Sequence, residues 1–230
     1  MSDPTCFGSL QVCALRVAVL GSNGAPTPGA ENGYVSDALI KVDLGIEKSK
    51  DIDLETESGC GAVCQTYFKE GSIKRATLGM SLCELDIQLG QMLVGGALYS
   101  TDTDVPIGWE LPRVNDAAGN GVCLELWTKA WDTSEQATPA ALSNAAAYWH
   151  WVFPRARFGL DKMTMDSSFL DFALTGNSGE NSNMSHRGPF QDWPDAVADA
   201  GGVQAVGAVF LDTDLPDATC AFITVPAQAS

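Results

Sequence analysis

Basic side chains are scarce in this chain. Only 13 Lys and Arg stand against 29 Asp and Glu, a formal charge of −16 over 230 residues, and two histidines cannot reverse that sign at neutral pH. Non-specific nucleic-acid binding draws on Lys and Arg that displace counterions from phosphates. The nearest basic pairs, Lys74-Arg75 and Arg155/Arg157, are too sparse to form a binding stripe. Charge argues against a nucleic-acid-binding protein.

Long apolar runs are missing as well. No stretch is long enough to cross a bilayer as a helix, and the first residues carry acid and proline where a secretory leader carries base. Without a leader, the seven cysteines read as reduced thiols of a protein made in the cytosol, and an odd number cannot pair completely. No period of 20–50 residues recurs, so a solenoid or propeller is not indicated.

Signatures of chemistry are absent too. There is no G-x-S-x-G elbow, P-loop or G-x-G-x-x-G after a strand. Cys60 and Cys64 have a spacing known in zinc sites, but the second ligand pair is lacking. An EF-hand counted from Asp51 would place Thr56 at the glycine position and Ala62 at the bidentate Glu position. The cysteines are therefore expected to be small core or near-core residues. Asp102/Asp104 and Asp212/Asp214 precede prolines and read as turn chemistry, not as a glycosidase pair. His186, beside Arg187, is expected to be exposed. The expectation is a non-enzyme with no catalytic residue, cofactor or metal.

Strand patterning fills most of the remainder. Residues 10–20 alternate, with Cys13, Leu15, Val17 and Val19 on one face. Residues 36–47 alternate with Ala38, Ile40, Val42, Leu44 and Ile46 on one face and Asp37, Lys41, Asp43 and Glu47 on the other. Further strands are predicted at 50–57, 62–69, 72–83, 122–131, 147–153, 168–175, 203–211 and 218–225. One helix is predicted at 84–94, with Leu85, Leu89, Met92 and Leu93 on one side, closed by Gly95-Gly96. A weaker one is predicted at 139–147. Loops are predicted near 21–33, 98–121 and 176–190, with a short tail at 226–230. At this length the chain reads as a single domain over 1–230, a mainly β antiparallel sandwich or partial barrel with one flanking helix.

Two segments carry more than fold. In Asp51-Ile52-Asp53-Leu54-Glu55-Thr56-Glu57, alternation places Asp51, Asp53, Glu55 and Glu57 in a row on one face, with Ile52 and Leu54 facing the core. Like charges in a row repel, so the row reads either as a deliberately negative surface or as an ordinary solvated face. In Tyr148-Trp149-His150-Trp151-Val152-Phe153, Trp149, Trp151 and Phe153 share one face, and Tyr148, His150 and Val152 the other. Bulk on both sides implies burial on both sides, by core and by a neighbouring subunit.

A longer pattern spans these pieces. Residues 158–194 run from an extended segment with Phe169, Leu170, Phe172 and Leu174, through a Gly/Asn/Ser-rich loop, to Gly188-Pro189-Phe190 and Asp192-Trp193-Pro194. Upstream come Gly59-Cys60-Gly61, Ile73-Lys74-Arg75, Leu82-Cys83-Glu84 and Gly95-Gly96. The aromatic strand ends at Pro154-Arg155. Together this order resembles the major tail-tube proteins of bacteriophages with long, non-contractile tails, particularly those infecting actinobacteria.

The resemblance implies a β-sandwich assembling as homohexameric rings, whose strands join into a ring-shaped barrel and whose rings stack into a tube. Such a subunit is a structural virion protein, assembled in the host cytoplasm. Its partners are its own copies, a tape-measure protein and tail-end proteins, with no membrane. Double-stranded DNA passes through without specific binding, and Asp51, Asp53, Glu55 and Glu57 become candidate channel-lining acids. The alternative reading is a non-catalytic acidic β-sandwich adhesin or another virion binding module.

Overall fold

A computed structural model describes residues 7–57, 60, 63–83, 86–102, 105–113, 121–132, 148–165, 170–184, 187–194, 203, 206–212, 214–217 and 220–227. The elements in chain order are β1 (Phe7–Val19), β2 (Gly29–Ser36), β3 (Leu39–Lys48), β4 (Ile52–Glu57), β5 (Val63–Lys69), β6 (Ile73–Leu82), α1 (Ile87–Val94), β7 (Ala97–Ser100), β8 (Pro106–Glu110), β9 (Val122–Asp132), β10 (Tyr148–Met165), β11 (Leu170–Ser178), β12 (Ala208–Asp212) and β13 (Ala221–Val225). The fold is mainly β, antiparallel, with a single helix among the described residues. The predicted 139–147 helix lies outside the described residues.

One nine-stranded sheet runs β13-β2-β1-β9-β10-β11-β6-β3, with β12 also paired to β10. Although β9, β10, β11 and β6 separate them in that order, β1 and β3 touch. The sheet therefore doubles back into two layers, a sandwich that does not close as a barrel. Strand β10 makes the turn between layers. Its first half lies between β9 and β12, and its second half pairs with β11. The change falls at a register break between Phe153 and Ala156, where Pro154 cannot donate to a ladder.

Between the layers lies the larger core: Leu15 and Val17 of β1, Tyr34 of β2, Leu78, Met80 and Leu82 of β6, Leu124 and Leu126 of β9, Phe153 and Phe158 of β10, Phe172 and Leu174 of β11. Helix α1 adds Leu89 and Leu93. Asp86 is its N-cap, accepting from the Gln88 and Leu89 amides at 3.1 Å, and its other oxygen accepts from the Tyr34 hydroxyl. Burial, and then this carboxylate, raise the Tyr34 pKa. Gly90 weakens helix propensity but is needed by packing: a Cβ there would stand 2.9 Å from the Trp109 ring.

Several predicted boundaries shift. Residues 29–32, expected in a loop, begin β2, and β7 and β8 form a hairpin inside the expected 98–121 loop. Strand β11 runs on to Ser178, inside the expected 176–190 loop. The 21–24 turn is tied to the 181–184 segment, since Asn181 Nδ2 donates to the Gly24 and Pro154 carbonyls at 2.8 and 3.0 Å.

Candidate functional site

Strands β3 and β6 pair from Leu39↔Leu82 out to Lys48↔Ile73, and β4 and β5 pair onward from Ile52↔Lys69 to Glu57↔Val63. At the base β6 also pairs with β11, and from Glu47 and Arg75 outward the strands continue as a two-stranded arm with a break at 49–51 and 70–72. The break is fastened by the Ser49 amide on the Ser72 carbonyl at 2.9 Å and the Gly71 amide on Asp51 Oδ1 at 2.6 Å. At its base β6 is buried against the core through Leu78, Met80 and Leu82. Strand β3 is the last in the sheet, and its outer edge has no strand partner among the described residues.

The arm is amphipathic without a partner. Ile40 is 59% exposed, Leu44 48% and Ile46 51%. Further out, Leu54 (60% exposed) stands opposite Tyr67, and Phe68 (65%) stands opposite Asp53. Every residue of β5 is exposed. The alternation predicted for 36–47 exists, with Ala38 and Leu39 buried and Val42 packed partly against the core. Ile40, Leu44 and Ile46 stay exposed, and so do Ile52 and Leu54, which were expected to face inward. The period of the sequence identifies a face and says nothing about whether the same chain covers it.

The acid row is broken. Asp51 lies before β4 and is spent on the Gly71 amide. Asp53 and Glu55 alternate along β4, exposed, on the face shared with Phe68 and Thr66. Glu57 continues the strand opposite Val63, and its side chain is outside the described residues. Nearer the base, Glu47 bonds Arg75 at 2.5 Å and Lys74 at 3.2 Å, and these two bonds, Arg75 first, lower its pKa.

A second constellation occupies the other face of the sheet, where sequence reasoning expected a neighbouring subunit. His150 and Val152 are buried there by the chain's own 188–194 segment and β12. Arg16 of β1 and Glu125 of β9 are cross-strand partners, joined Nε to Oε2 at 2.7 Å and nearly inaccessible. Glu125 Oε1 accepts from Trp193 Nε1 at 3.0 Å and lies 3.3 Å from His150 Nε2. His150 Nδ1 is 3.1 Å from Asp212 Oδ2, which also accepts from Gln191 Nε2 at 3.1 Å. The imidazole stacks on Trp127 with centroids 4.0 Å apart, and the Arg16 guanidinium lies between the rings of Trp127 and Phe190.

Burial would raise the Glu125 carboxyl, but the charge of Arg16 and then His150 outweigh it and hold the pKa down at about 2. Partial burial likewise opposes Asp212, whose pKa is lowered by bonds from the Asp214 amide, Gln191 and Trp127 and by the charge of His150. The predicted turn role of Asp212 is present, since its Oδ1 accepts from the Asp214 amide at 3.1 Å. Its buried role had no local signal, because its partners lie 21 to 85 residues away. Asp104 and His186 lie outside the described residues.

The cysteines depart from expectation. Cys123 is buried and Cys13 partly so, but Cys60, Cys64, Cys83 and Cys220 are exposed. Cys60 and Cys64 stand at the tip of the arm, where no core exists to receive them. Among the described residues no three His, Cys, Asp or Glu side chains gather as a metal site, and no helix is long and apolar enough to span a membrane. No family model matches the chain, and no curated protein matches it significantly.

Proposed function

We propose that this chain is the structural subunit of a tube, assembling with its own copies into rings of six that stack into the tail tube of a long-tailed bacteriophage. The observation that carries the reading is the segment 40–73, with large apolar side chains exposed on the sheet's edge strand β3 and on the two-stranded ribbon beyond it. Such a ribbon is marginal alone in water, and an open edge invites pairing with another chain. Each large apolar side chain gains roughly 1.5–3 kcal/mol on full burial, and association costs on the order of 4–15 kcal/mol. The exposed apolar residues of the arm supply area toward that cost, except Phe68, which shares the face of Asp53. The ordered blocks that resemble tail-tube proteins supply the kind of assembly.

In this reading the apolar side of the arm packs on neighbouring copies, and the β4 face bearing Asp53 and Glu55 lines the channel. Duplex DNA carries a charge every ~1.7 Å, and the field of the wall decays over about 8 Å at physiological salt. Repulsion therefore keeps DNA from adhering without closing the conduit. Tape-measure and tail-end proteins occupy the lumen and the ends, and the particle is built in the host cytoplasm. Electron microscopy of the concentrated chain tests the proposal: rings of six or filaments support it, and dispersed single particles overturn it in favour of a binding module.

A further inference from the structure

Among the described residues, all the exposed large apolar side chains except Val209 and Leu215 fall on two surfaces. One is β3 and the ribbon beyond it, from Ile40 to Ile73. The other is the β7–β8 hairpin and its flanks, which expose Tyr99, Val105, Ile107 and Leu111. This hairpin is anchored from beneath. Trp109 of β8 donates its Nε1 hydrogen to the Gly95 carbonyl at 2.8 Å and meets the buried Phe172 ring edge-on, while Tyr99 and Ile107 stay outside.

Charge sets the two surfaces apart. Residues 39–75 hold six of the 13 basic residues and seven of the 29 acids, a net charge of −1, which leaves −15 on the rest of the chain. On either side of the break in the arm, an exposed isoleucine has a lysine as its cross-strand partner: Ile73 with Lys48, and Ile52 with Lys69. Lys50 lies in the break between them. Lys41 pairs with Asp43, and Lys74 and Arg75 with Glu47, but Lys48, Lys50 and Lys69 have no carboxylate partner among the described residues. Residues 97–112 are the converse, with Asp102, Asp104 and Glu110 and no base. Arg113, next in the chain, is held on Glu110 at 3.1 Å. Exposed apolar side chains thus stand among lysines on one surface and among acids on the other.

We propose that the arm of one copy docks on the β7–β8 hairpin of the next, Ile52 and Ile73 against Tyr99 and Ile107, with Lys48, Lys50 and Lys69 toward Asp102 and Glu110. The inference rests on the tube reading for one point, that the partner is a second copy of this chain. A head-to-tail contact joins two different surfaces of the same molecule, and its repetition builds a ring or a filament. Arm on arm would set lysine against lysine, and hairpin on hairpin would set acid against acid. Arm on hairpin covers both apolar surfaces and matches their charges. Beyond about 8 Å the remaining negative charge is screened at physiological salt, so the close lysine–carboxylate pairs decide the docking.

Cross-linking reads the contact in the wild-type chain. Isotope-labelled protein is mixed with unlabelled protein, and a carbodiimide condenses lysines with neighbouring carboxylates. The expected products are isotopically mixed peptide pairs that join Lys48, Lys50 or Lys69 to Asp102 or Glu110. Sedimentation velocity supplies a second readout. Ile52→Asp/Ile73→Asp and Tyr99→Asp/Ile107→Asp are each expected to assemble about tenfold or more weakly than the wild type. An equal mixture of the two brings one intact hairpin to one intact arm, so it gives a dimer that grows no further. The cross-links carry the test if either variant does not fold. A wild type that assembles without these links, or a hairpin variant that assembles as the wild type does, overturns this contact and leaves the tube reading standing. A wild type that stays monomeric overturns both.

Discussion

Glu125 has no solvent contact, and its two oxygens are divided among Arg16, Trp193 and His150. Removing one partner of such a pair strands the other, so Arg16→Met is expected to cost about 3–5 kcal/mol in urea unfolding. Replacing both, as Arg16→Met with Glu125→Leu, recovers much of that loss. The acid side of the stability profile follows from the same residue. Its folded pKa of about 2 is below the ordinary 4.5, so its contribution is complete above the ordinary value and is lost as pH falls through about 2. Asp212 is lowered too and acts in the same direction. Unfolding measured from pH 7 down to pH 2 should show a loss of about 3 kcal/mol attributable to Glu125, and its absence in the double variant. Sequence could not reveal this cluster, because Arg16, Glu125, His150 and Asp212 are brought together only by four strands in register.

Elements were far more legible than residues. Strong alternation located β1, β3, β6 and β9, and the i, i+4 apolar spacing with a double glycine stop located α1. Strand β2 escaped because Gly29 and Gly33 look like loop residues. Gly33 is glycine because a Cβ would meet the Ile223 carbonyl at 2.8 Å and the Phe190 ring. Gly90 is the same case in the helix. Gly90→Ala raises helix propensity by about 1 kcal/mol yet is expected to lose 1–3 kcal/mol net, because the Trp109 ring must move. Thermal unfolding of this variant beside Gln91→Ala separates packing from propensity. The arm was legible as strands and illegible as a surface. Ile40, Leu44 and Leu54 have the pattern of core residues, and they stay uncovered because β3 ends the sheet and β4 lies on the separate ribbon beyond it.

At the scale of the whole molecule, charge and shape divide the work of the tube reading. In the tube reading a charge of −16 opposes association between copies, and the exposed apolar side chains of the arm are expected to supply the attraction. Asp53→Lys with Glu55→Lys is expected to leave folding unchanged and to slow DNA release from assembled particles, as seen in ejection kinetics. Release at the wild-type rate removes the lubricating role from these two acids and leaves the tube intact. The most direct measurement is sedimentation velocity of the wild-type chain beside Leu54→Asp/Tyr67→Asp, with circular dichroism confirming that both are folded. Self-assembly through the arm predicts hexamers or larger species for the wild type and monomers for the variant. A monomeric wild type, or a variant that assembles as the wild type does, would contradict it.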